Sequence, residues 1–161
     1  MKKLSTISYV LVCLLFPVMA RADALVLSGA DIVPTQDNTL YSKGNNYMYL
    51  GSGSPNNFFI APVHLPQGAK VTSVVVFYED SDATGALEVT MVKTNLYSGA
   101  YSVMATWESS GTPGLTSYKI SPILGGNTID NNGYSYTFLL NFTSDSAGNN
   151  VRLYKIKVNY N

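Results

Sequence analysis

The chain has 161 residues, with ten basic and ten acidic side chains and therefore a formal net charge of zero. No stretch of the sequence is strongly basic, which excludes the electrostatic footprint of a nucleic-acid-binding protein. Cys13 is the only cysteine, so a disulfide framework within the chain and a cysteine-ligated zinc site are excluded as well.

The first 22 residues have the three parts of a Sec-type signal peptide. Lys2 and Lys3 precede an apolar run at 10–16, and a small-residue A-x-A pattern follows at 20–22. This order is typical of a cleaved secretory signal, and the run is too short for a bilayer, which takes about 20 apolar residues. We therefore expect a secreted or periplasmic protein of residues 23–161, without a membrane span after cleavage.

Removal of residues 1–22 leaves seven basic and ten acidic side chains, a net charge of −3, and takes Cys13 away. The remaining length suits one domain, because single domains commonly have about 100–150 residues and can bury a sufficient core without disulfides. We predict a single domain over residues 23–161.

Alternation of apolar and polar residues recurs along the mature chain, and helical periodicity is nearly absent. Strands are predicted at 25–33, 46–51, 57–64, 70–79, 86–94, 101–108, 117–123, 134–143 and 151–160. Short strands with turns at regular spacing point to an all-β, antiparallel β-sandwich of the jelly-roll type. The pattern is weaker near the N-terminus, so residues 23–62 form either an N-terminal arm or edge strands.

One strand is apolar on both faces. Its segment 74–78 reads Val-Val-Val-Phe-Tyr, and such a run needs cover on both sides. Core packing and a contact between subunits are both open. The second reading makes Val74, Val76 and Tyr78 an oligomer contact, since small β-domains must protect their strand edges and often do so by assembling.

Acidic residues cluster at the turn after this strand. Asp80 and Asp82 offer the hard oxygen ligands that calcium prefers, but their spacing matches no EF-hand loop. Acidic residues also serve turn geometry. A solvated turn is therefore favoured over a calcium site.

No catalytic signature is present. His64 is the only histidine, and no G-x-S-x-G elbow accompanies it. Glycoside cleavage needs two carboxylates held across a groove, and Glu88 and Glu108 are expected at outward positions of strands. We predict a protein that is not an enzyme and that uses no cofactor.

Tyrosine is the notable excess, with 12 in the full chain. Flat aromatic faces stack on sugar rings while their polar tips form hydrogen bonds. Tyr97, Tyr101 and Trp107 lie near predicted loops and are candidates for a sugar-binding platform. Tyrosine is also a favoured strand residue, so ordinary packing remains an alternative.

The chain from Val63 onward resembles an uncharacterised family of bacterial secreted all-β domains. The resemblance rests on the strand entry at 65–72, the segment at 76–80, the turn at 109–114, the segment at 128–131 and the closing residues 156–158. It implies a jelly-roll-like domain outside the cytoplasm and no known catalytic residues.

Two functions remain open at this point. The first is a non-enzymatic extracellular β-sandwich that acts through self-assembly or surface interaction, with a homotrimer as the first expectation. The second is a carbohydrate-binding module that binds an extracellular glycan through exposed Tyr and Trp side chains.

Overall fold

The computed structural model describes residues 23–44, 46–84, 86–109, 115–120, 126–143 and 150–161. The signal peptide predicted at 1–22 lies outside the described residues. Within the described ranges the chain is almost entirely β-structure, and no helix there is long and apolar enough to cross a membrane.

Eleven strands and one 3-10 turn, Gly29–Asp31, follow one another along the described chain. The strands are β1 (Asp23–Ser28), β2 (Val33–Pro34), β3 (Tyr41–Lys43), β4 (Met48–Leu50), β5 (Phe58–Pro62), β6 (Val71–Asp80), β7 (Leu87–Asn95), β8 (Tyr101–Glu108), β9 (Leu115–Ile120), β10 (Tyr134–Phe142) and β11 (Val151–Tyr160).

The strands form two antiparallel sheets. The five-stranded sheet has the order β2-β5-β10-β7-β8, and the six-stranded sheet has the order β3-β4-β11-β6-β9. The sixth strand of the latter is β1, which pairs with residues 155–160 of β11, while β4 pairs with the same strand at Leu153. Two short strands therefore share one side of β11.

Alternating residues of both sheets fill the core between them. Tyr136, Phe138 and Leu140 face inward from β10, as the alternation of that segment predicts. The rings of Phe59 and Phe142 meet edge to face with their centroids 5.5 Å apart. Each buried side chain of this size contributes about 1.5–3 kcal/mol through removal of apolar surface from water. This core holds the domain together without a disulfide.

The structure corrects the expected oligomer contact. Val74, Val76 and Tyr78 are buried within a single chain, because β6 is a central strand and these side chains point between the two sheets. The outward side chains of the same segment are Val75 and Phe77, both half-buried. The apolar run is core on one face and is partly covered on the other.

Residues 23–62 are part of both sheets. They supply β1, β3 and β4 to the six-stranded sheet and β2 and β5 to the five-stranded sheet. The described part of this segment therefore contributes five strands to the sheets. Its sequence pattern is weak because several of these strands have only two or three residues, too few to show alternation.

Candidate functional site

A groove runs across the outer face of the five-stranded sheet. Its volume is about 450 Å³, and its lining comes from β5, β10, β7 and β8 together with Thr35. Outer faces of antiparallel sheets are normally polar. Here several large apolar side chains face solvent, which marks the groove as the candidate functional site.

Strand register brings the groove side chains into rows. The first row contains Phe58, Asn141 and Glu88, one from each of β5, β10 and β7. The row continues to Glu108 of β8, which pairs with Glu88 and lies beside the groove, outside its lining. The second row contains, in the same strand order, Ile60, Leu139, Thr90 and Thr106. Within these two rows, β5 and β10 contribute mainly apolar side chains, and β7 and β8 contribute polar ones. Beyond the rows, Val92, Val103 and Tyr101 continue the apolar surface onto β7 and β8.

A β-bulge shapes the far end of the groove. The pairing of β7 with β8 shifts by one residue between Met91 and Val92, so that Val92 pairs with Val103. A bulge bends its strand and increases the local twist. Val92 faces outward by register and is nevertheless buried, whereas Val103 and Tyr101 are exposed beside it.

Two aromatic rings stand at opposite corners of the groove. Phe58 is 52% exposed at the first row, and Tyr101 is 68% exposed beyond the bulge. Exposed rings of this kind can stack on another flat, partly apolar molecule. They define the two ends of a surface that crosses four strands.

The polar side of the groove is connected by hydrogen bonds. Thr90 Oγ1 lies 3.3 Å from Glu88 Oε1 and 2.8 Å from Thr106 Oγ1. Glu108 stands directly opposite Glu88 in the register. We refer to Glu88, Thr90, Thr106 and Glu108 as the polar rail.

Asn141 is the one amide side chain in the groove lining. Its Oδ1 atom is buried, and no hydrogen-bond partner for that atom is present within the described residues. Buried polar atoms are normally paired, and an unpaired one costs about 1–3 kcal/mol.

The aromatic residues predicted from the sequence are not brought together. Tyr101 lines the groove, whereas Tyr97 is 87% exposed at the tip of the β7–β8 hairpin. Asn95 Oδ1 holds this tip, since it accepts hydrogen bonds from the backbone N–H groups of Tyr97 and Ser98. Tyr97 therefore lies on a hydrogen-bonded turn outside the groove.

Trp107 lies inside the sandwich. It is 8% exposed, its ring centroid is 4.5 Å from that of Tyr78, and it stacks on Tyr118 at 5.4 Å. Trp107 is an inward residue of β8, whereas its neighbours Thr106 and Glu108 point outward. This placement corrects the expectation of an exposed platform that includes Trp107.

Asp80 and Asp82 are occupied by local hydrogen bonds. Asp80 is buried, and its carboxylate accepts hydrogen bonds from Ser109 Oγ and from the backbone N–H of Asp82. Asp82 Oδ1 accepts from the backbone N–H of Thr84 at 3.0 Å. These contacts make the pair a turn-forming element. Among the described residues, no three His, Cys, Asp or Glu side chains are grouped to hold a metal ion.

A second polar and aromatic cluster lies on the outer face of the six-stranded sheet. Glu79 Oε2 accepts hydrogen bonds from Arg152 at 3.0 Å and from the Tyr154 hydroxyl at 2.9 Å. Burial, followed by the hydrogen bond to Glu79, raises the pKa of Tyr154 above its ordinary value. The guanidinium of Arg152 also lies over the Tyr47 ring. The hydrogen bonds of the cluster join β6 to β11, and Tyr47 covers Arg152 from just before β4. These residues are each other's partners, as is typical of a structural network.

Sequence reasoning missed the apolar part of the groove. Phe58 and Ile60 belong to β5, Leu139 to β10 and Val103 to β8, and only the strand register brings the three strands together. One signal was available. Leu139 interrupts the polar series Ser135, Thr137, Asn141 on the wet face of β10.

Comparison with solved structures finds carbohydrate-binding modules of similar fold. A xylan-binding module of family 86 from Roseburia intestinalis is 18% identical, with 86% of this chain and 96% of that chain covered and a TM-score of 0.50. The C-terminal family 6 module of a laminarinase from Zobellia galactanivorans is 10% identical, with 84% and 98% covered and a TM-score of 0.50. A family 15 xylan-binding module is 6% identical, with 86% and 97% covered and a TM-score of 0.52.

The likeness at these identities concerns the fold alone. The chain has the β-sandwich fold of carbohydrate-binding modules. This agrees with the all-β, jelly-roll-like domain that the sequence resemblance implies. No protein-family model and no curated protein matches the sequence.

Proposed function

We propose that this chain is a non-enzymatic carbohydrate-binding module that holds a polysaccharide along the groove of the five-stranded sheet. The observation that carries the proposal is the exposed apolar surface between Phe58 and Tyr101, flanked on one side by the polar rail. Sugar rings present both apolar C–H faces and hydroxyl edges, and this groove offers a partner for each. The similar fold of modules named for xylan binding supports the same reading.

The shape of the site also favours a polymer over a small ligand. The groove is an open surface that crosses four strands, and neighbouring strands lie about 4.8 Å apart. Small-molecule sites normally enclose most of their ligand. An extended chain of sugar rings fits an open groove of this kind better.

Binding without catalysis follows from the surroundings of the carboxylates. Glu88 and Glu108 are both exposed to solvent on adjacent strands. A glycosidase needs one carboxyl group in an apolar pocket as a general acid and a second one placed across the substrate. The polar rail instead supplies hydrogen-bond acceptors along one edge of the groove.

The proposed setting is outside the cytoplasm. The sequence at 1–22 has the form of a cleaved signal, and extracellular polysaccharide is accessible only to an exported protein. Expression of the full chain in a bacterial host, followed by N-terminal sequencing of the exported protein, is expected to give Asp23 as the first residue. Retention of the uncleaved chain in the cytoplasm would contradict this part of the proposal.

Binding is tested by isothermal titration calorimetry and affinity electrophoresis of residues 23–161. The probes are xylan, laminarin, hydroxyethyl cellulose and galactomannan. Tyr101→Ala and Phe58→Ala are each expected to weaken binding about tenfold or more, equal to about 1.4 kcal/mol. Tyr97→Ala, outside the groove, and Val26→Ala, exposed on the other sheet, are the controls and are expected to bind as the unmodified protein does.

Two results would remove the proposal. One is the absence of binding to every polymer of the panel at millimolar sugar concentration. The other is binding that Tyr101→Ala and Phe58→Ala leave unchanged, because the ligand would then lie elsewhere on the molecule.

A further inference from the structure

We propose that the groove selects neutral polysaccharides with free hydroxyl groups and rejects both acidic and O-substituted ones. This inference rests on the proposed function and concerns the chemistry of the same site. It is carried by the polar rail, whose groups accept hydrogen bonds from a ligand and offer it no proton. Two of the three glutamates in the chain, Glu88 and Glu108, belong to this rail.

The direction of the hydrogen bonds along the rail follows from the number of protons. A threonine hydroxyl has one proton to donate, and an ionised carboxylate can only accept. The contact between Thr90 Oγ1 and Glu88 Oε1 therefore uses the Thr90 proton. Thr106 must then supply the proton of the 2.8 Å contact between the two threonine hydroxyls.

The rail is consequently left with acceptors. Thr106 Oγ1 keeps its lone pairs and has already committed its proton, and Glu88 and Glu108 carry only carboxylate oxygens. A ligand that lies along the rail has to bring the donors. Free sugar hydroxyls are donors of this kind, and the hydrogen bonds they give to carboxylates are among the stronger ones in proteins. Methyl or acetyl groups on the hydroxyls remove the donor.

Charge excludes a second class of ligand. Among the described residues that line the groove, none is Lys, Arg or His, and the only charged one is Glu88. Glu108 faces Glu88 across the two strands, where opposed side chains have Cβ atoms about 4.5–5.5 Å apart and like charges repel. A uronate or sulfate group would add a third negative charge at this place. Donor hydroxyls that bridge the two carboxylates would lower the repulsion.

The apolar side of the groove supports the same ligand class. Ile60 and Leu139 face the sugar rings across from Thr90 and Thr106 in one row of the register. Apolar side chains can cover the C–H face of a neutral sugar, whereas burial of a charged substituent against them is costly. The two sides of the groove therefore favour the same ligand.

The experiment compares matched polymers by calorimetry. Xylan, laminarin and galactomannan are each titrated beside their carboxymethylated and methylated derivatives at low ionic strength. For each polymer that binds, the unmodified form is expected to bind at least about tenfold more tightly than either derivative, a difference of about 1.4 kcal/mol. High salt is expected to reduce the difference in affinity between the unmodified and the carboxymethylated polymer, because salt screens charge repulsion. The difference between the unmodified and the methylated polymer should not change with salt.

Variants assign the selectivity to the rail. The double variant Glu88→Gln with Glu108→Gln is expected to bring the carboxymethylated polymer to within about threefold of the unmodified one. Thr106→Val is expected to weaken binding of the unmodified polymer and to keep the rejection of the charged one. Glu79→Gln is the control for position, because it removes one carboxylate of the same residue type on the other sheet and should leave the selectivity unchanged.

The outcomes separate this inference from the proposed function. Equal or tighter binding of the carboxymethylated or methylated polymer would overturn the selectivity and leave polysaccharide binding standing. Binding that requires calcium and is abolished by a chelator would also overturn the selectivity, since a cation between Glu88 and Glu108 would attract acidic ligands instead of repelling them. Failure of all polymers to bind would instead remove the proposed function itself.

Discussion

Val75 and Val76 show how one residue step decides the role of a side chain in this molecule. Both belong to β6, but Val76 is buried between the sheets and Val75 is half-buried on the outer face. Val75 pairs with Lys157 across the neighbouring strand. Successive residues of a strand point to opposite faces, so the same substitution meets two different surroundings.

Val76→Asp is expected to abolish folding, because an unpaired charge in the core costs several kcal/mol against a total stability of about 5–15 kcal/mol. Val75→Asp is expected to change the free energy of unfolding by less than about 1 kcal/mol, since its carboxylate would stand beside Lys157. Circular dichroism and urea denaturation measure both. A folded Val76→Asp protein that has lost only a subunit contact would return these residues to the oligomer interface.

Tyr136 couples stability to alkaline pH. Its side chain is buried, its hydroxyl accepts a hydrogen bond from the backbone N–H of Asp130, and burial is the main cause that raises its pKa above the ordinary value of 10.0. Above pH 10 the unfolded chain therefore releases this proton before the folded chain does. The contribution of Tyr136 to stability is present below pH 10 and is lost as pH rises towards the folded pKa.

The test is urea denaturation of the unmodified protein and of Tyr136→Phe between pH 8 and pH 11. The variant is expected to be less stable at pH 8 by about 1 kcal/mol, because the N–H of Asp130 loses its acceptor. It should lose less stability at higher pH, so that the two curves converge. Parallel curves would mean that the phenol does not contribute to the alkaline transition.

At the scale of the strands, a buried polar contact fastens the β6–β7 connection to the end of β8. Ser109 Oγ donates a hydrogen bond to the carboxylate of Asp80 and accepts one from the backbone N–H of Leu87 at 2.9 Å. Asp80 belongs to the six-stranded sheet and Leu87 to the five-stranded sheet. One hydroxyl thus ties the two sheets together.

Ser109→Ala is expected to lower the free energy of unfolding by about 1–3 kcal/mol, because it leaves a buried carboxylate and a buried N–H short of a partner. Ser102→Ala, exposed on the same strand, is the control and should stay within about 0.5 kcal/mol of the unmodified protein. Chemical denaturation measures both variants. Equal stability of the two would show that the Asp80 contact adds nothing to the fold.

The longer strands could be predicted from the sequence because each has enough residues to show alternation. The segments predicted at 101–108 and 151–160 correspond to β8 and β11, and 134–143 corresponds to β10. The segment at 25–33 is instead β1 and a 3-10 turn, because Ser28 caps that turn by accepting a hydrogen bond from the N–H of Ala30. Asp31 Oδ2 completes this cap by accepting hydrogen bonds from the backbone N–H and the hydroxyl of Ser28. These local side-chain contacts end the strand, and the periodicity of the sequence does not show them.

The groove could be predicted only in part. Tyr101 was a candidate from its residue type and its place beside a loop, and it lines the groove. Phe58 and Leu139 could not be assigned to one surface, because their proximity depends on the pairing of β5 with β10. Trp107 was misplaced because the bulge in β8 sets which of its residues face inward. The register and the bulges depend on how each strand pairs with its neighbour, and the sequence of one strand does not specify that pairing.

For the whole molecule, the burial of Val74 and Val76 removes the residues that were proposed for a contact between subunits. Light scattering of residues 23–161 is expected to give the mass of a monomer. A dimer or trimer would contradict this expectation, and the apolar groove face would become the first candidate for the contact between subunits. In that case Phe58→Asp should release monomers, and polysaccharide binding should compete with assembly.

The position of Trp107 gives the protein a built-in optical probe. It is the only tryptophan of the chain, and it is enclosed between Tyr78 and Tyr118 where the edges of the two sheets meet. The fluorescence emission of Trp107 reports whether this contact between the sheet edges is intact. The emission shifts to longer wavelength when water reaches the indole ring. The groove lies on the opposite face of the same strand, so a saturating ligand is expected to leave the emission of Trp107 unchanged at low temperature. The same ligand is expected to raise the melting temperature of the protein, which can be followed through this emission.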